Sequence, residues 1–160
     1  MDSRRARKPA ARAPEPGSRR VAREAALQML YGLDAAGALA PGDVDAQIRA
    51  YWEHVDEVSR TEGRAYADAI VRGVTAEIDA IDGEIRAAQT NWRLERMARV
   101  DRNILRITAW EMLRGTEVPA EVAIDEAIEL AKTFGTEDSS AFVNGSLDRL
   151  AVRHGRLRAK

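Results

Sequence analysis

Ala123-Ile124-Asp125-Glu126-Ala127-Ile128-Glu129-Leu130-Ala131-Lys132-Thr133-Phe134-Gly135, followed after three residues by Ser139-Ser140-Ala141-Phe142-Val143-Asn144-Gly145-Ser146-Leu147-Asp148, is the stretch whose reading decides the fold. Ala123, Ala127, Leu130, Ala131 and Phe134 recur at helical spacing and line one face, and Ile124 and Ile128 widen it. Val118-Pro119 opens this helix, with proline allowed at the first helical position and Glu121 near the positive end of the dipole. Gly135 is its C-cap candidate. Asp138 or Ser139 then caps a last helix running through Phe142, Val143, Leu147 and Leu150 to about Val152. Asn144-Gly145 is a hairpin dipeptide elsewhere, but no alternating strands flank it here. Two helices therefore meet at a short polar turn, with Phe134 and Phe142 on either side of it.

The rest of the chain repeats the helical period. From about Leu94 to Arg114, Met97, Val100, Ile104 and Ile107 form a row that Leu105, Met112 and Leu113 broaden, which reads as a central, largely buried helix. Gly115 is a natural residue to follow it. Thr90-Asn91-Trp92 is a polar interruption and a candidate boundary between two halves. A helix from about Ser59 carries Ile70, Val71 and Val74 and continues past Ile78, Ile81 and Ile85 with a break near Gly83. Gly73 lies inside that pattern, where it costs ~1 kcal/mol relative to alanine unless a close crossing needs it. Asp43 to about Val55 is a shorter helix. From Arg19 to about Ala36, Ala22, Ala26, Met29, Leu30 and Leu33 make one apolar face, and Gly37 and Pro41-Gly42 end it. Ser18 is its expected N-cap. The sum is an all-α fold of about seven helices, in two small helical subdomains sharing a core.

The 160 residues suit one domain or two small halves, and 45% hydrophobic content is enough for a core. The absence of cysteine excludes disulfides and thiolate metal sites. No apolar run approaches the ~20 residues needed to cross a bilayer. The N-terminus is arginine-rich but has no apolar segment of a secretory signal, and Asp2, Glu15 and three prolines argue against a transit peptide. A cytoplasmic location is expected.

The net charge of -1 conceals an asymmetry. Residues 1–23 hold eight basic and two acidic groups. A basic arm on an acidic body suits a polyanion partner, or serves as a solubilising tail. Residues 1–17 read as a disordered basic arm because of Pro9, Pro14, Pro16 and Gly17. Residues 18–153 form the helical domain, with halves 18–90 and 91–153. Arg153, Arg156, Arg158 and Lys160 form a basic tail over 154–160 that is expected to fray.

Little in the sequence suggests chemistry. His54 and His154 have no partner at metal-ligand spacing, so no metal is expected. Asp125 with Glu129, and Asp79 with Asp82, are helical carboxylate pairs of the kind usually left in solvent. Phosphate loops, dinucleotide fingerprints and nucleophile elbows are lacking, so neither cofactor nor enzymatic activity is expected. Nucleic-acid binding is better supported. Arginine forks match phosphate oxygens and aromatic faces stack on unpaired bases. Arg19, Arg20 and Arg23 supply the first and Phe142 the second, although a helical phenylalanine is also a common core residue. Arg20 and Tyr31 are eleven apart and so share a stripe of the first helix, ~16 Å long.

Three stretches together carry a family resemblance. Ser18-Arg19-Arg20-Val21-Ala22-Arg23-Glu24-Ala25-Ala26-Leu27-Gln28-Met29-Leu30-Tyr31 resembles the arginine-rich opening of the NusB family of bacterial transcription antitermination factors. Val100-Asp101-Arg102-Asn103-Ile104-Leu105-Arg106-Ile107 resembles its central helix. Val118-Pro119, Ala123 to Lys132, Phe134-Gly135 and Phe142-Val143-Asn144-Gly145 are similar to its C-terminal signature, the most specific of the three. The resemblance implies a non-enzymatic, two-part helical protein that binds the boxA element of nascent ribosomal RNA transcripts as single-stranded RNA. It implies action together with the ribosomal protein NusE, helping RNA polymerase resist termination.

Carried over by position, the resemblance implies an RNA surface of Arg19, Arg20, Arg23, Asp138 and Phe142, and a NusE surface including Tyr31, Glu95 and Asp101. Asp138 is chemically awkward beside phosphate. It either accepts from a base amino group or only caps the helix. Val21 stands where many relatives have a further arginine, and the arm before Ser18 is longer than usual. Two other readings remain. One is a helical scaffold or homodimer without RNA contact, since some members self-associate. The other is a relative of the N-terminal domain of a ribosomal RNA cytosine methyltransferase. In 160 residues there is no room for a methyl-donor domain, so a stand-alone factor is expected.

Overall fold

A computed structural model describes residues 16–40, 42, 44–55, 63–89, 93–114 and 117–158. Among these there are seven α-helices, one 3-10 turn and no strand. In chain order they are α1 (Pro16–Ala35), α2 (Asp45–Glu53), α3 (Arg64–Ala76), α4 (Ile78–Ala88), the 3-10 turn (Leu94–Arg96), α5 (Arg99–Leu113), α6 (Ala120–Phe134) and α7 (Ser139–Arg153).

The broad stripe on α5 is broad because neighbours cover it on nearly every side. α5 packs against α1, α3, α4, α6 and α7, and ten of its fifteen residues are buried. Ile104, Leu105, Ile107 and Ala109 are the middle of a single core. α1 contributes the expected face of Ala22, Ala26, Met29, Leu30 and Leu33, all buried. α6 and α7 pack on one another across the polar turn, and Ala123, Ala127, Leu130 and Ala131 share one core with Val143, Leu147 and Leu150.

Several boundaries differ from those expected, for local reasons. α1 starts at Pro16 rather than after Ser18, so Ser18 is inside the first turn and not the cap. A proline tolerates the first turn because its missing N–H has no helical partner there. The rest of the expected arm, residues 1–15, lies outside the described residues, as do Asp43, the expected helix start at Ser59, the boundary at 90–92 and Gly115. The break between α3 and α4 falls at Glu77 (φ -123°, ψ 31°) and not at Gly83, which is an exposed position within α4. The central segment is also divided. After the 3-10 turn, Met97 and Ala98 are extended before α5 begins, yet Met97 remains in the core.

Gly73 meets the close crossing that its place inside a helix called for. A Cβ there would come 2.0 Å from Trp110 Nε1, so the indole of α5 lies directly on the backbone of α3. Gly135 ends α6 in an extended conformation (φ -95°, ψ -166°). It is needed for space, since a Cβ would meet Ser139 Oγ at 2.4 Å. That hydroxyl accepts the Thr136 N–H at 2.9 Å and fastens the turn.

Candidate nucleic-acid interface

Arg19, Arg20 and Arg23 are neighbours on α1, three and four residues apart, yet differ in their main partners: Tyr66, Glu126 and Glu111. The Arg19 guanidinium lies 4.4 Å from the centre of the Tyr66 ring, and its Nη1 donates to the Tyr66 hydroxyl at 3.2 Å. Arg20 faces solvent with 54% of its side chain exposed. It reaches across to α6, donating from Nε to Glu126 Oε1 at 3.0 Å and from Nη2 to Oε2 at 2.8 Å. That fork holds the Glu126 carboxyl below its ordinary pKa. A pocket of about 160 Å³ between α1 and α6 is lined by Arg20, Arg23, Glu24, Glu126 and Glu129.

Arg23 is a correction to the expected RNA surface. Only 3% of it is exposed. Its Nε donates to Glu111 Oε1 at 3.0 Å and its Nη2 to Glu111 Oε2 at 2.9 Å. Its Nη1 lies 3.7 Å from Glu126. Burial opposes its charge, but the hydrogen-bonded Glu111 carboxylate overcomes that, and the pKa moves upward. Tyr66 donates its hydroxyl to the same carboxylate, and its own pKa is pushed up, first by burial and then by Glu111. Arg23 therefore bolts α1 to α3, α5 and α6 beneath the surface.

A second buried network ties the other end of α1 to α5. Asp34 receives both Nε and Nη2 of Arg102 at 2.7 Å, Asn103 Nδ2 at 2.9 Å and Arg106 Nη1 at 3.1 Å. Arg106 donates through Nε and Nη2 to Asp82 of α4 at 2.8 and 3.0 Å. Desolvation would raise the Asp34 carboxyl, but the Arg102 and Asn103 hydrogen bonds outweigh it and hold it down at about 2. Asp82, expected in solvent, is buried by this contact.

The expected partner face lies over that network. Tyr31 is 41% exposed, with the Arg99 guanidinium 5.7 Å from its ring centre. Glu95 is exposed in the 3-10 turn, 3.7 Å from Arg86, and its carbonyl accepts from Arg102. Its carboxyl is held below the ordinary pKa, chiefly by a backbone N–H. Tyr31 and Glu95 are thus joined through the first turns of α5. Asp101 departs from expectation. It is only 8% exposed, and its Oδ1 is buried without a hydrogen-bond partner.

At the other end, Asp138 occupies the N-cap position of α7 but its side chain makes no capping hydrogen bond. It is exposed. Phe142, in the first turn of α7, is half-buried and packs on the edge of the core. It is neither a fully presented ring nor a sealed one. α6 connects the two regions, holding Arg20 through Glu126 and packing along α7.

Residues that periodicity did not single out are the acceptors: Glu111, Glu126 and Asp34, with Tyr66. Glu111 carried one legible signal, an acid within the helix whose broad stripe marks it as largely buried. Its partner is 88 residues away and left no local trace.

The described residues form a helical bundle built around one buried helix and clamped by arginine–carboxylate networks, an all-α class of protein. The chain belongs to the NusB family, whose profile matches residues 20–152. It is 52% identical to the transcription antitermination protein NusB of Sorangium cellulosum over 141 residues, covering 88% of this chain and 96% of that one. It is 48% identical to the protein of that name from Geobacter sulfurreducens, covering 84% and 94%. Among solved structures, T. maritima NusB superposes with a TM-score of 0.72 at 36% identity, over 87% of this chain and 92% of that one. A structure of the antitermination factors NusB and NusE in complex with dsRNA has the same fold, with a TM-score of 0.70 at 23% identity over 85% and 97%.

Proposed function

We propose that this chain is a non-enzymatic, cytoplasmic RNA-binding factor in transcription antitermination. It binds boxA-type single-stranded RNA of nascent ribosomal transcripts together with ribosomal protein NusE, and so helps RNA polymerase resist termination. The observation that carries this reading is family membership across residues 20–152, with Arg20 half-exposed at the surface of its first helix. The antitermination relatives cited above support it, as does the fold shared with the NusB chain of the NusE and dsRNA complex.

Arg19 and Arg20 neutralise phosphates, Phe142 contacts a base, and Asp138, whose side chain has no capping duty, accepts from a base amino group. Arg23 positions the helix that carries the first two. Tyr31 and Glu95 form the NusE face, where an acidic body suits a basic ribosomal protein. Asp101 supports that face from beneath. The halves 18–90 and 91–153 divide this work, the first contributing the arginines and Tyr31, the second Glu95, Asp138 and Phe142.

Fluorescence anisotropy with boxA-type RNA, with and without NusE, tests the reading. Affinity should fall steeply with salt, and Arg19→Ala/Arg20→Ala should flatten that dependence. A salt slope unchanged in that double variant rules out the arginine assignment. Failure of the wild type to bind RNA even with NusE leaves the scaffold or homodimer reading.

A further inference from the structure

The C-terminal end of α7 closes in a defined turn. Gly155 adopts φ 70°, the left-handed conformation that closes a helix. Its N–H donates to Val152 O at 3.0 Å and the Arg156 N–H to Ala151 O at 2.7 Å, the paired bonds of a Schellman turn. Leu157 folds back onto the core. His154 Nε2 pairs with Glu84 of α4. The helix end and its closing turn therefore set where Arg153 and Arg156 leave the backbone, with Arg158 just beyond. All three are exposed, and none has an ion-pair partner among the described residues.

This end is also the chain's second concentration of positive charge. Residues 149–160 carry five basic groups and no acid, whereas residues 24–148 carry twelve basic groups and twenty-four acids. Placement matters more than number. Phe142, Arg149 and Arg153 are seven and eleven residues along one helix, close to two and three whole turns, so they lie on a single stripe. At 1.5 Å per residue the arginines stand ~10 Å and ~16 Å beyond the ring. Gly145, between ring and arginine, has no side chain, and a Cβ there would touch Arg149 Nη1 at 3.5 Å. Arg149 is itself oriented, donating Nε to Ala88 O at 3.3 Å and Nη2 to Gln89 Oε1 at 3.0 Å.

We propose that this stripe and the turn that ends it are a second RNA contact: Arg149 and Arg153 on the helix and Arg156 in the turn take the phosphates of the single strand that continues from the base at Phe142. The inference rests on the RNA-binding reading above and extends its footprint along α7. A ring in line with spaced arginines matches a nucleic acid, which alternates flat bases with charged phosphates. An acidic peptide has no use for the ring.

The test uses the full chain, a short boxA-type RNA, and that RNA lengthened by several nucleotides on the 5′ or the 3′ side. In one direction the longer RNA binds several-fold more tightly with a steeper salt dependence. Arg153→Ala/Arg156→Ala abolishes that gain and lowers the slope by about 0.7 for each phosphate no longer neutralised, leaving the short RNA unaffected. Arg153→Lys/Arg156→Lys retains most of it. Thermal melting of each variant matches the wild type. The proposal is overturned if neither extension adds affinity, if the alanine pair binds the longer RNA as the wild type does, or if polyglutamate competes as well as polyuridylate. If the wild type binds neither RNA, the primary reading fails as well. If the short RNA binds and only the extension is without effect, this inference alone fails.

Discussion

Arg20 and Glu126, 106 residues apart in sequence, meet in a two-point contact that joins the first turns of α1 to the middle of α6. The arginine best placed to meet a phosphate is thus already held by a carboxylate. On the proposed reading, RNA displaces Glu126 to use both arms of the fork. The surrounding pocket adds Glu24 and Glu129, so the bare site repels an anion until that exchange occurs.

Glu126→Gln should therefore strengthen RNA binding several-fold at low salt, while Arg20→Ala weakens it. The gain from Glu126→Gln should shrink in the Arg20→Ala background, because most of the glutamate's effect acts through that arginine. Anisotropy titrations of the four proteins form the cycle. Equal affinity of Glu126→Gln and wild type would mean that the latch does not oppose RNA.

Arg23→Ala should be destabilising by about 3–5 kcal/mol, because it breaks a buried ion pair by removing the guanidinium from the Glu111 carboxylate. Arg20→Ala, at the surface, should change stability by no more than about 0.5 kcal/mol. Urea unfolding of the two variants makes the comparison. Similar midpoints would contradict the burial difference between two arginines three residues apart.

Asp34 predicts acid sensitivity. Its carboxyl sits at about 2 in the folded protein against an ordinary 3.8. The depressed value means that its contribution is complete above about pH 4 and is lost as pH falls towards 2. The amount is about 2 kcal/mol. Asp34→Asn should be less stable at neutral pH and should show a shallower decline through that window. A parallel decline in variant and wild type would assign the acid lability to other carboxylates.

Gly73→Ala should destabilise the protein although alanine is the better helix former. The gain of ~1 kcal/mol in propensity is opposed by a clash with the Trp110 indole, and overpacking a core costs about 1–3 kcal/mol. Thermal unfolding of Gly73→Ala, and of Gly73→Ala/Trp110→Leu, checks the sign. The smaller side chain at 110 should recover part of the loss.

Much of the fold was legible because burial imposes a period. Ala22, Ala26, Met29, Leu30 and Leu33 announced the inner face of α1, and the width of the stripe on α5 announced its central position. Boundaries were less legible. The stop at Glu77 and the extended Met97-Ala98 have no glycine or proline to mark them. The turn at Gly155 did carry the usual residue, yet the basic residues around it read as a frayed tail.

The sequence by itself determined the helices, their inward faces and the presence of an arginine-rich start, since these depend on neighbours within a few turns. Tertiary structure alone decided what each arginine does. Arg20 and Arg23 are the same side chain in the same run, and one is exposed while the other is sealed against Glu111. The carboxylates that separate their roles come from α5 and α6, far along the chain. Only folding brings them near, and the cost of leaving a buried charge unpaired then dictates which arginine they hold.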